Sequence, residues 1–508
     1  MVIDLRLKKL KVKNFRCFEN LEMNLNPRCN VLVGINGSGK STILDALSIA
    51  LSGYLLGFDD IKGAYIQTED AHFVTHQVGN RIEVQEQFPV IIYAEGIVDD
   101  ERDVKWQREL NGKDHRTTYG NAKCIIDYAK KSQDAVRSGD MACILPLTAY
   151  YSAERLWLQK RNRTAYEKYK TLKRQMGYIG CMAAASNEKQ MLQWFADMTY
   201  IQLQEGRPIA ELEAVKQAIR QCYMSSAPSI DDARFQYNVK NHELEVTIHR
   251  NDTVEKFPIR MLSDGEKGVI SLVADIAYRM ALLNPNLFER VLQTPGVVLI
   301  DEIDMHLHPS WQKRIMKDLM NIFPNVQFIV TTHSPSVLAN IKEKEYVHIV
   351  DHFNVNPLQD MIYGRSVEEI LCDIMNTDVS PEEITDLQKE FNSAIDCEDF
   401  DKAQEILNHQ RQLLGNNANA VIENQITLDV EMNMRRNEAG KRIQEALDYL
   451  GKHQYIEATT IWRQLRDEYM SKVISTDITD SGINVHTTAL NLDMESLIKK
   501  KTERTDGS

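Results

Sequence analysis

Gly34, Ile35, Asn36, Gly37, Ser38, Gly39, Lys40, Ser41 and Thr42 form a glycine-rich run between a short apolar stretch, 30–33, and an apolar helical pattern over 42–51. Such a run is suited to phosphate. Its glycines let consecutive backbone N–H groups curl around phosphate oxygens, Lys40 can neutralise the β- and γ-phosphate charge, Ser41 can ligate magnesium, and the helix start adds a positive dipole. The context of strand before and helix after argues against a chance glycine loop. ATP with Mg2+ is the expected ligand, held by Asn36, Gly37, Ser38, Gly39, Lys40, Ser41 and Thr42.

Further along, the buried-strand pattern 297–300 runs directly into Asp301 and Glu302. Asp301 is placed to hold the magnesium, through water or directly, and Glu302 to polarise the water that attacks the γ-phosphate. An acidic turn after a strand is the plainer alternative. Leu262 to Gly268, LSDGEKG, precedes a long apolar helix, so Ser263, Gly265 and Glu266 make a second phosphate-binding helix start, unless they are only an ordinary cap. His333, after the apolar run 326–330, can reach a terminal phosphate and the attacking water, or sit on a surface loop. His306 and His308 have no third ligand nearby, which favours a contact role over a metal site.

Those groups must be positioned by strands alternating with helices. The residues 5–15 and 21–25 read as a hairpin, and 59–139 as short strands (81–85, 90–93) among polar turns. The pattern turns helical over 153–222, returns to strands at 235–239 and 244–248, and places a helix over 262–282. That alternation predicts an α/β fold: a mixed, largely parallel sheet with flanking helices. Beyond 364 the chain is acidic, with amphipathic stretches at 381–395, 399–414 and 439–469 and a break at 415–419. The expected organisation is a first lobe (1–150), a helical insertion (151–230), a second lobe (231–365), a helical region (366–470) and a loosely ordered polar tail (471–508).

The 508 residues, 43% hydrophobic and 26% charged, suit two or three folded domains. No secretory pattern opens the chain and no apolar run is long enough to span a bilayer, so no membrane partner and a cytoplasmic location are expected. Eight scattered cysteines without a CxxC pair fit a reducing compartment. The net charge of −13 argues against wholesale coating of nucleic acid. A local basic segment, 160–174, remains a candidate: Lys160, Arg161, Arg163, Lys168, Lys170, Lys173 and Arg174 interleave with Tyr166 and Tyr169, either binding nucleic acid or covering acidic surface.

The order of these motifs, with VVLIDEID at 297–304, HLHP at 306–309 and TTHSP at 331–335, resembles the ABC/SMC-like ATPases of the OLD and RecF type. AYYSAERLW at 149–157 and YGRSVEEIL at 363–371 bring it closest to the PtuA ATPases of Septu anti-phage systems, in the branch that accompanies retron reverse transcriptases. The resemblance implies an ABC-type head in which the LSDGEKG segment covers the γ-phosphate held by a second copy, joining two subunits around ATP. It also implies a glutamine on the metal, for which Gln67 is the candidate, beside Ser41 and Asp301. Asp264 and Glu266 stand where many such signatures carry glycine and glutamine, which implies slow or gated hydrolysis. Implied partners are a second copy of the chain, an HNH nuclease of the PtuB type docked on the region beyond 378, and a retron reverse transcriptase with its RNA-DNA product. No TOPRIM cluster follows His333, no long heptad arms are present and no HNH-type histidine cluster is evident, so the chain itself is not expected to cut. A RecF-like DNA-repair clamp is the alternative, and a transporter ATPase a third.

Overall fold

The computed structural model describes residues 5–78, 81–98, 103–153, 173–182, 188–226, 229–251, 253–375, 377 and 381–451, with 460–461, 464, 475–479 and 482–486. They form two compact units, 1–377 and 378–508. The α/β architecture expected from the motif order is present in the first.

Five-residue runs of aliphatic side chains, buried on both faces, favour a central parallel sheet. The six-stranded sheet runs Asn354–Pro357, Val347–Asp351, Cys29–Val33, Val326–Thr332, Gly296–Ile300, Leu147–Tyr151. Only the first of these is antiparallel to its neighbour. Register sets Ile300 beside Val330 and Tyr151, and Val33 beside Thr332, which aligns the carboxyl ends of four strands where ligands of such sheets sit. The strand Leu147–Tyr151 belongs to this same sheet, so both expected lobes share one core.

A four-stranded antiparallel sheet, in the order Phe18–Asn24, Leu5–Phe15, Val90–Val98, Asp103–Leu110, is stitched to the parallel sheet by one buried glutamine. The Gln327 amide accepts from Leu7 N at 2.8 Å and donates to Leu7 O at 2.8 Å and to Asn26 O at 2.7 Å. Between the sheets, helix Lys40–Leu55 is buried along most of its length. Helix Lys123–Arg137 lies within the stretch expected to be strands and turns. Its buried residues Ile125, Ala129, Ser132 and Gln133 recur at helical spacing, and the many charges between them hide the pattern. A three-stranded sheet, Asp232–Asn238, Glu243–Arg250 and Thr253–Pro258, precedes helix Asp264–Leu283.

The second unit has its own small core, in which Phe391, Phe400, Leu407 and Leu428 bring together helices Glu382–Asp396, Phe400–Leu414 and Asn419–Gly451. Gly415 ends the second helix at the expected break. The third begins at Asn419, twenty residues before the expected start. Within the tail, Ser475–Thr479 pairs with Gly482–His486 as an antiparallel hairpin where loose chain was expected; β-branched residues alternate with polar ones there. No helix among the described residues is long and apolar enough to cross a membrane.

His348, buried in the sheet, donates from Nε2 to the Asn30 side-chain oxygen at 3.0 Å. Burial pushes its pKa down to about 4 from 6.5. The native imidazole excludes a proton that the unfolded one accepts, so stability is complete above pH 6.5 and falls as pH drops towards 4. We expect this group to contribute a loss on the order of 3 kcal/mol across that window. The denaturation midpoint of His348→Gln, compared with the parent at pH 7 and pH 4.5, reads it: the gap between the two proteins should narrow on acidification.

Candidate active site

Strand Cys29–Val33 delivers the chain into the glycine-rich loop, and helix Lys40–Leu55 takes it away. Gly39 sits at the helix start with φ of 101°, and a Cβ there would stand 2.6 Å from the Phe18 ring, so the loop's tight curl requires glycine at this point. Lys40 turns back into the curl. Its Nζ donates to Ile35 O at 2.8 Å and Gly34 O at 2.9 Å, with Ser38 Oγ at 3.4 Å. Burial pushes its pKa below the ordinary lysine value, while Asp301, Glu302 and Asp304 pull in the opposite direction.

The carboxyl end of Gly296–Ile300 faces this loop across a short gap. Asp301 Oδ1 accepts from Ser41 Oγ at 3.1 Å and from Thr331 Oγ1 at 2.6 Å. Thr331 Oγ1 in turn accepts from Glu302 N at 2.7 Å, and Asp301 N donates to Tyr151 O at 2.8 Å. Three adjacent strands therefore fix one carboxylate. Glu302 adopts a φ of 48°, a conformation non-glycine residues seldom take and one that tends to mark functional positions. Asp304 anchors the next loop, accepting from Thr332 Oγ1 and, at 3.3 Å, from His333 N. Burial, then Lys40, push the His333 pKa below the ordinary histidine value.

A cavity of about 300 Å³ gathers Asn36, Gly37, Gly39, Lys40, Ser41, Thr42, Asp301, Glu302 and His333. It also includes Arg16, Cys17 and Thr331, which the sequence did not single out for it. Arg16 occupies the turn of the first hairpin and is held by Asp70, with Nε to Oδ1 at 2.8 Å, and by Asp45 on the loop's own helix. Burial opposes its charge, but the two carboxylates outweigh that and raise its pKa. Nothing local marks this arginine in sequence; its pairing with aspartates 29 and 54 residues away does.

Backbone amides at a helix start, an ammonium, and a hydroxyl 3.1 Å from a buried carboxylate form a donor set that fits a triphosphate with a divalent cation. Ser41 and Asp301 would hold the cation, which supplies charge neutralisation between phosphates when bound.

Ser263, Gly265 and Glu266 lie outside that lining. Ser263 caps helix Asp264–Leu283: its Oγ accepts from Glu266 N at 3.3 Å, and its own N donates to the Glu266 carboxylate at 2.9 Å. A Cβ on Gly265 would meet His306 O at 2.5 Å, so this helix start lies against the loop after Glu302. His308 caps the turn Pro309–Gln312 through Nδ1, accepting from Ser310 N at 3.3 Å. Gln67 lines a different cavity, of about 540 Å³. Of the basic segment, 160–172 lies outside the described residues. Arg174 is spent internally, donating to Leu283 O, Cys143 O and Asn284 Oδ1 at 2.6 to 2.9 Å, and is not a free cation for nucleic acid.

A family model described as an AAA domain matches residues 9–225, and a second AAA-domain model matches 190–339. The retron Vc95 probable ATPase of Vibrio cholerae serotype O1 biovar El Tor is 26% identical, over 80% of this chain and 87% of that protein. The Septu protein PtuA of Bacillus thuringiensis is 24% identical, over 78% of this chain and 91% of that one. Among solved structures, an SMC head bound to the C-winged helix domain of ScpA superposes with a TM-score of 0.39 at 16% identity, covering 68% of this chain and 93% of that one.

Fold and site together define an α/β ATPase of the P-loop class, similar to AAA domains over residues 9–225 and 190–339. Within that class the chain is similar over most of its length to the probable ATPases of retrons Vc95 and Ec83 and to the Septu protein PtuA.

Proposed function

We propose that this chain is the ATP-hydrolysing, ATP-gated subunit of an anti-phage defence complex, in which two copies close around nucleotide. In this reading Lys40 and the loop amides hold the phosphates, Ser41 and Asp301 hold Mg2+, and Glu302 orients and deprotonates the attacking water. His333 contacts the terminal phosphate from beside it. Ser263, with the amides around Gly265, completes the pocket of the opposite copy.

The observation that carries the proposal is the division of these groups. One chain gathers Lys40, Ser41, Asp301, Glu302 and His333 into one cavity, yet leaves the capped helix start at Ser263 outside it. A helix N-terminus of this kind is an anion site in its own right. A second copy gives it a phosphate to bind.

The relatives' names support a place beside a defence nuclease. We extend the reading to an HNH partner nuclease of the PtuB type and a reverse transcriptase with its RNA-DNA, with the chain as scaffold and regulator and no cutting activity of its own. Slow or gated turnover fits a Glu266 carboxylate already engaged by its own cap. A RecF-like clamp on DNA is the competing reading, and neighbouring genes for an HNH protein and a reverse transcriptase would decide against it.

Sizing of the full chain tests the proposal. Ser263→Arg should bind ATP with affinity within about threefold of the parent yet lose the nucleotide-dependent gain in mass, because the substitution blocks only the partner's pocket. Lys40→Ala should lose both. Persistence of an ATP-dependent dimer in Ser263→Arg would defeat the two-copy reading.

A further inference from the structure

The larger cavity, about 540 Å³, is separate from the nucleotide site. Leu56 on its wall follows the last residue of the 16-residue helix that begins at Lys40, which sets the two roughly 24 Å apart. That volume is ordinary for a nucleotide-sized ligand.

Its chemistry is cationic and aromatic. Arg108, on strand Asp103–Leu110, lines the cavity although the residue is only 2% exposed. Its guanidinium donates to backbone carbonyls, Nε to Thr118 O at 3.2 Å and one terminal nitrogen to Ile49 O at 3.3 Å. Among the described residues no carboxylate pairs with it. Burial lowers its pKa to about 10, opposed by Tyr119 and by no carboxylate. A guanidinium withdrawn from water without a counter-charge is unfavourable unless an anion completes the site. Arg116 and His115 line the same cavity, against a single acid, the exposed Glu69. Tyr65 and Tyr119, both largely exposed, offer ring faces beside these cations. A planar fork with a second arginine matches phosphate oxygens, and a tyrosine face matches a base.

We propose that this cavity is a second nucleotide site, which seats a phosphate on Arg108 and Arg116 and the attached base against Tyr65 or Tyr119. The ligand is either a free mononucleotide or the 5′-terminal nucleotide of a strand, two sources of the same chemistry.

Calorimetric titration of the full-length Lys40→Ala chain, whose phosphate loop is disabled, tests it with 5′-AMP, a 5′-phosphorylated dinucleotide and inorganic phosphate. Saturable binding of AMP or the dinucleotide is expected, weakened roughly tenfold by Arg116→Glu and by Tyr119→Ala, both at exposed positions. Arg108→Lys, which keeps the charge and removes the fork, should weaken it comparably. Tighter binding of AMP identifies the free nucleotide, and tighter binding of the dinucleotide identifies the strand end. The proposal is overturned if neither ligand saturates, or if inorganic phosphate binds as well as AMP and Tyr119→Ala changes nothing.

Discussion

Glu302→Gln is expected to lower the ATPase rate by about 10² to 10³-fold while leaving ATP affinity within a few-fold of the parent. The carboxylate stands at the end of a fully buried strand, with its backbone N–H fixed by Thr331 and Asp301 fixed by Ser41 on the facing loop. Glutamine keeps the size and the backbone geometry, including the left-handed φ, and removes only the ability to accept the water's proton. Binding through Lys40 and the loop amides does not depend on that proton. If hydrolysis is what separates two copies, the variant also accumulates a dimer in ATP that persists through gel filtration, whereas the parent returns to its starting mass as nucleotide is consumed. The check is a paired measurement of phosphate release and of mass against time. A variant retaining more than about a tenth of the parent rate would remove Glu302 from the role of base and point to water positioning by His333 or the backbone instead.

The nucleotide motifs were legible because their physics is local. A loop that must curl needs glycine, a buried parallel strand needs consecutive aliphatics, and a helix start needs a cap, so the glycine-rich run, 297–300 and Ser263 each announce themselves within a few residues. The strand at 347–351 was harder. VHIVD carries a histidine in a buried run, and only the Asn30 side chain, 318 residues away, satisfies it. Helix Lys123–Arg137 was missed for the opposite reason, since Lys, Asp and Arg punctuate it and its buried stripe itself includes Ser132 and Gln133. Gln67, named as a metal ligand on the resemblance alone, lies in the second cavity beside a buried arginine that no local pattern marks. Arg16 and Arg108 share that lesson: a single arginine in a strand or turn reads as surface until tertiary neighbours are known.

Asp275→Ala should be among the most destabilising single substitutions in the first unit, at about 3 to 5 kcal/mol. Asp275 and Arg279 lie one turn apart on helix Asp264–Leu283, and both are almost wholly buried. The Asp275 carboxylate accepts from Arg279 Nε at 2.7 Å and from Tyr151 OH at 2.8 Å, and Arg279 continues to Gly177 O at 2.9 Å and Ile179 O at 3.1 Å. Burial lowers the Arg279 pKa, but Asp275, followed by Tyr151, more than compensates and holds it above its ordinary value. Removing the carboxylate therefore leaves a charged guanidinium in the core facing only carbonyls, and leaves the Tyr151 hydroxyl without its acceptor. Replacing both charges, as Asp275→Leu with Arg279→Met, should recover most of the loss, because apolar groups of similar volume avoid the desolvation of an unpaired ion. Denaturant unfolding of the single and double variants measures the difference, and a double variant as unstable as the single one would show that shape, not charge, sets the cost. The network also has a functional reach. Tyr151 O accepts the Asp301 N–H while its hydroxyl grips the helix that Ser263 begins. One residue thus ties the backbone that carries Asp301 to the helix that Ser263 begins; if that helix start serves a second copy, Tyr151→Phe, which cuts the tie without unpairing Arg279, should lower ATP-dependent dimer formation more than it lowers ATP binding.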